Sequence, residues 1–172
     1  MKRSAIILCF IIFAYILQTT VFGGELFGGI KPNLLIVIVS MLGFMRGRKT
    51  GLVVGFLSGL IVDIFSMEAI GFYMLFFMYI GFLNGLFHRH FFRENIKLPL
   101  LLIIASDFIL NLAIFGLFFL LRGRFGFVNY LTNIMIPEIC YTVLVALFLY
   151  PLLLIVNHQF DSDEKRRAGK LV

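Results

Sequence analysis

Apolar residues fall in six runs, at about 4–22, 32–45, 51–65, 69–87, 98–121 and 134–156, separated by short glycine-rich or charged stretches. Runs of this length predict helices. Each is apolar on nearly every side, which suits a lipid or protein surround and not a water-facing surface. Pro32, Pro99 and Pro137 stand near the starts of their runs, where a missing N–H costs least. Pro151 stands inside the last run and predicts a kink there. The only long polar stretch is a tail at 157–172. One integral membrane domain follows, all-α, with six transmembrane helices.

The third run carries the most distinctive pattern: Gly51, Gly55, Gly59 and Asp63, each four residues after the last. That spacing stacks all four on one helix face. Three absent side chains leave a groove where another helix can approach closely. The carboxylate at its end is costly in lipid unless it meets protein or water. The face is therefore expected to serve either as a docking surface for a partner or as internal packing, with Asp63 as its hydrogen-bonding end. As a docking surface it predicts that Gly55→Leu weakens partner capture while expression survives.

Composition sharpens this picture: 61% of residues are hydrophobic and 14% charged, against about a quarter charged in soluble domains. Mean hydropathy is +1.03. The net charge of +6 sits at the ends of the apolar runs and does not point to nucleic acid. With the N-terminus in the cytoplasm, six spans leave only Lys31, Arg122 and Arg124 outside, of 15 Lys and Arg. The second run is only 14 residues long, and a re-entrant hairpin of the second and third runs would move Arg46, Arg48 and Lys49 outside as well. The positive-inside rule favours six spans with both termini cytoplasmic. The basic inner loops suit anionic headgroups. The apolar start at Met1-Lys2-Arg3 has no small-residue cleavage site after it and predicts a retained helix.

Three further groups bear on chemistry. Asp107 and Asn111 lie one turn apart on the fifth run, and Glu138 starts the sixth, so Glu138 and Asp63 are expected near the outer face, away from Asp107. Gly81, Asn84 and Gly85 repeat a close-packing pattern on the fourth run. These groups predict intramembrane polar contacts more than a proton path, which needs a chain of such groups. His88 and His90 are two apart and do not share a helix face, so no metal site is expected. Cys9 and Cys140, near opposite membrane faces, are expected to be small buried apolar residues. Phe125, Phe127 and Tyr130 are expected in an outer loop, at the interface. No Walker loop or nucleophile elbow is present, and no cofactor or enzymatic activity is expected.

The run Lys31-Pro32-Asn33-Leu34-Leu35-Ile36-Val37, then Arg46-Gly47, the stripe Gly51, Gly55, Gly59 and Asp63, and Gly71-Phe72-Tyr73 together resemble the MreD family of rod shape-determining membrane proteins. The chain departs from that pattern at Ser66-Met67-Glu68-Ala69-Ile70, where members often carry a Gly/Pro-rich turn. The resemblance implies a non-enzymatic scaffold in the bacterial cytoplasmic membrane. It would bind an MreC-like protein and, through it, MreB filaments and the SEDS glycosyltransferase with its penicillin-binding transpeptidase. It also implies a fold similar to the substrate-binding subunit of energy-coupling-factor transporters. Such a vitamin-binding subunit is the alternative reading, with Glu25, Glu68, Asn129 and Glu138 as candidate cavity groups. Its Ala-x-x-x-Ala coupling motif is missing, since no two alanines are four apart.

Overall fold

The computed structural model describes residues 2–21, 30–66, 71–90, 96–120 and 127–168, with the side chains of 2–5, 90, 118–120 and 156–168 excepted. All its regular structure is helical. The first five apolar runs become α1 (Lys2–Thr20), α2 (Leu34–Arg46), α3 (Arg48–Ser66), α4 (Phe72–Leu86) and α5 (Lys97–Ile114). A 3-10 turn, Phe87–His90, ends α4, and a π-helical stretch, Phe115–Leu120, extends α5. A short α6 (Phe127–Tyr130) runs through a second π turn, Leu131–Met135, into α7 (Ile136–Ala168). Among the described residues, three helices are long and apolar enough to cross a membrane: Arg48–Ser66, Lys97–Leu117 and Phe127–Ile155. Ile6–Thr20 and Leu34–Arg46 are shorter apolar helices.

The last rod departs from expectation at both ends. It starts at Phe127, within what the sequence suggests is an outer loop, and continues to Ala168, through the stretch expected to be a tail. Pro137 is the reason for the difference. Proline removes an N–H and crowds the carbonyl four residues back, so it usually marks a helix start. Here the preceding turn widens: the N–H of Ile136 bonds to the carbonyl of Leu131, five residues back, and the helix passes through. Pro151 also lies within α7 without ending it.

At the centre stands α2, with every residue from Leu34 to Met45 buried. A helix apolar on all sides is stable only when surrounded, and α2 packs against α1, α3, α4, α5 and α7. Its 13 residues make a rod of about 20 Å, shorter than a hydrocarbon core of about 30 Å. Backbone groups at such ends must find partners within the protein. The Asn33 side chain accepts the N–H of Ile36 at 3.2 Å, and Gln18 on α1 accepts that of Leu35 at 3.4 Å. At the other end His88 Nδ1–H donates to the carbonyl of Phe44 at 2.9 Å, beside Gly47, whose φ of 89° turns the chain into α3.

Between α1 and α7 an apolar groove of about 350 Å³ reaches Leu42 of α2, lined by Ile6, Cys9, Phe10, Phe13 and Leu153. Cys9 and Cys140 are both exposed, which corrects the expectation that they are buried. Each sits on the outer surface of the bundle, where a thiol still suits lipid as a small apolar group.

Candidate functional site

The glycine stripe is filled from within the chain. Running down α3, Gly51 meets Gly81, Gly55 meets Phe77 and Gly59 meets Tyr73 and Met74, an antiparallel register with α4. A Cβ at Gly55 would lie 2.6 Å from the carbonyl carbon of Phe77 and 2.9 Å from Cα of Met78. Gly51 and Gly81 each point at the carbonyl oxygen of the other, an arrangement suited to paired Cα–H···O contacts. Gly85 closes the seam against Arg48, and Gly43 of α2 joins it beside Gly51 and Gly81. Of the two occupants that the sequence allows, the structure puts the chain's own α4 on this face. Leucine at Gly55 would force the α3 and α4 backbones away from each other.

Asp63 continues the stripe over the start of α4. Gly71, at that start, has a φ of 92° and no side chain to cap the helix. The Asp63 carboxylate supplies the cap from α3: Oδ2 accepts the N–H groups of Gly71 at 3.1 Å and Met74 at 2.9 Å, and Oδ1 that of Tyr73 at 3.0 Å. A negative group at a helix N-terminus also meets the positive end of the dipole. Asp63 is 3% exposed. The fourth-helix polar residue, Asn84, is likewise internal, its amide donating to the Ser106 hydroxyl on α5 at 2.8 Å.

The second polar group joins residues that the sequence keeps apart. Because the last rod starts at Phe127, Glu138 lies about 16 Å along it and not at its start. Glu138 lies beside Asn111 and Asp107, which corrects its placement at the outer face away from Asp107. Asn111 is the hub: its amide donates to the Asp107 carbonyl at 3.1 Å and its oxygen accepts the Tyr130 hydroxyl at 3.1 Å. Tyr130 is 7% exposed and turned inward, with its ring 5.3 Å from that of Phe115, so the two π-helical stretches meet here. It was expected at the interface with Phe127, which is 37% exposed; Phe125 lies outside the described residues. The Thr142 hydroxyl faces Asp107 and accepts the Asn33 N–H at 3.0 Å. Neither Thr142 nor Asn33 stands out in the sequence as a member of such a group, since each is an ordinary residue of its run.

Among the described residues no three or more His, Cys, Asp or Glu converge as a metal site. Glu25 and Glu68 lie outside the described residues, and Asn129 is exposed. The cluster of Asp107, Asn111, Glu138, Tyr130 and Thr142 can hold a charge or a polar group in the bilayer interior.

A bundle of apolar helices with a glycine seam and buried carboxyls defines a helical membrane protein of the multi-pass kind. The family model for the rod shape-determining protein MreD matches residues 2–158. The chain belongs to that family, and its role lies in determining rod shape. No curated protein and no solved structure matches it.

Proposed function

We propose that the chain is a non-enzymatic scaffold of the cell-wall elongation machinery in the bacterial cytoplasmic membrane, binding an MreC-like protein and organising peptidoglycan synthesis. The family match over residues 2–158 carries this reading. The six helical rods, taken as six spans with both termini cytoplasmic, form its membrane body. Its interior is occupied by its own contacts: the glycine seam holds α4, and Asp63 holds the start of that helix. A membrane partner therefore meets the outward apolar faces, such as Val53, Phe56 and Ile64 of α3 or Tyr79 and Leu83 of α4, all exposed. MreB filaments, the SEDS glycosyltransferase and its transpeptidase are reached through that partner. Basic positions such as Arg48, Lys49 and Arg89 meet anionic headgroups at the inner face.

Co-purification of the full chain with a co-expressed MreC-like protein from mild detergent tests this. Stoichiometric recovery supports the scaffold. Recovery of an ATPase module with its coupling subunit, and no wall-synthesis protein, replaces it with the transporter reading. Cross-linking from the exposed thiols of Cys9 on α1 and Cys140 on α7 maps which side of the bundle the partner covers.

A further inference from the structure

Asp107 is 0% exposed, and neither of its carboxyl oxygens has a partner in hydrogen-bond geometry. An ionised carboxylate offers about four acceptor sites. Around Asp107 the supply of protons is nearly used up. The Thr142 hydroxyl faces it and, with its oxygen already accepting the Asn33 N–H, has one proton to offer. The Asn111 amide donates to the Asp107 backbone carbonyl and the Tyr130 hydroxyl donates to Asn111. Glu138 stands one turn before Thr142 on the same face of α7, so its carboxyl belongs to the surroundings of Asp107. Two acids brought together away from water, with oxygens free to accept, form a place for positive charge.

The donor set decides the class of ligand. Carboxyl, hydroxyl and amide oxygens are hard ligands. Divalent ions such as Ca²⁺ take six to eight oxygens and usually several carboxylates, whereas here two carboxyls are joined by neutral groups. Glu138 is partly buried and Asp107 fully so. The Asn33–Thr142 bond ties the same cluster to the start of the central helix α2.

We propose that Asp107, with Glu138 and Thr142, binds a small monovalent cation, Na⁺ or K⁺, within the bilayer, and that its occupancy locks α5 and α7 against the start of α2. The test is thermal unfolding of the purified full chain in lipid nanodiscs at fixed pH, in NaCl, KCl or choline chloride at equal ionic strength. Na⁺ or K⁺ at a hundredfold excess over Kd raises Tm by about 5–10 °C over choline. Asp107→Asn abolishes that rise, while Thr142→Ser, which keeps the hydroxyl, retains it. If Asp107→Asn does not fold, Glu138→Gln serves instead and moves the half-maximal concentration up at least about tenfold, the loss of one charged ligand. Equal Tm in the three salts, an equal rise in the Asp107→Asn or Glu138→Gln variant, or a response to pH alone overturns the proposal; the last means that the carboxyls hold only a proton. The purified chain is tested without partners, so the result stands apart from that of partner capture.

Discussion

Gly55→Ala adds one methyl group and is expected to cost stability, although alanine is the better helix former. Propensity alone favours the change by about 1 kcal/mol. Against this, the new Cβ would stand 2.6 Å from the carbonyl carbon of Phe77 and 2.9 Å from Cα of Met78, where an ordinary contact is 3.4–4 Å. Both are backbone atoms, so no rotamer change relieves the clash. The helices must separate by about 1 Å to restore normal contact. That movement strains the whole seam, because Gly51 and Gly59 touch the same helix, and it draws Asp63 away from the three N–H groups that it caps. Overpacking typically costs 1–3 kcal/mol, and one weakened charged hydrogen bond adds about 1.5 kcal/mol or more. After the propensity gain the net loss is about 1.5–3.5 kcal/mol, or roughly 3–14 °C in Tm for a chain of this size. Circular dichroism melts of the full chain in nanodiscs measure it. Gly116→Ala is the internal control: a Cβ there meets nothing within 4 Å, so it is expected to be neutral or stabilising. A Gly55→Ala melt that matches the control would refute the claim that backbone contact sets the α3–α4 spacing.

Other substitutions separate the contacts more finely. Asp63→Asn keeps one oxygen but turns an NH₂ toward an N–H it must accept, so it is expected to cost about 1–3 kcal/mol, and Asp63→Leu, which leaves all three donors bare, more than twice that in the same melts. Equal losses would mean that charge, and not the count of accepted bonds, is what α4 needs. The Ser58 hydroxyl is buried on α3 without a hydrogen-bond partner, so Ser58→Ala should change Tm by less than about 2 °C or raise it; a fall of several degrees would reveal a bond. Tyr130→Phe removes the hydroxyl that Asn111 accepts and should lower stability by about 1 kcal/mol. Its effect should shrink in an Asn111→Ala background, which a double-mutant cycle measures; additive losses would show that the two do not interact.

The positions of α1 to α5 are legible in the apolar runs because lipid or protein surrounds those helices on every side, and composition alone marks them. The role of the glycine stripe is half legible. Spacing of four announces a close helix contact, but the partner is decided by the register of α4, in which the atoms of Phe77, Tyr73 and Met74 nearest the glycines are backbone. Nothing in their side chains advertises that. Asp63 likewise reads as a polar end, while the group it serves, a helix start at a glycine with φ of 92°, is visible only in the fold. The pairing of Glu138 with Asp107 is hidden for a different reason. It depends on a π turn that carries the helix past Pro137, and proline at that point signals a beginning. Shifting the start of the rod to Phe127 moves Glu138 from its first turn to its fourth, beside Asn111, and with it the whole reading of the acidic residues.

The cap that Asp63 places on its neighbour also bears on how this protein enters the membrane. Crossing the bilayer by itself, the fourth rod would carry three bare amides at its leading edge, in a medium that offers no water to quiet them. On the six-span reading proposed above, the two rods would enter as a clasped pair, the earlier one arriving with the acid that makes the later one tolerable to lipid.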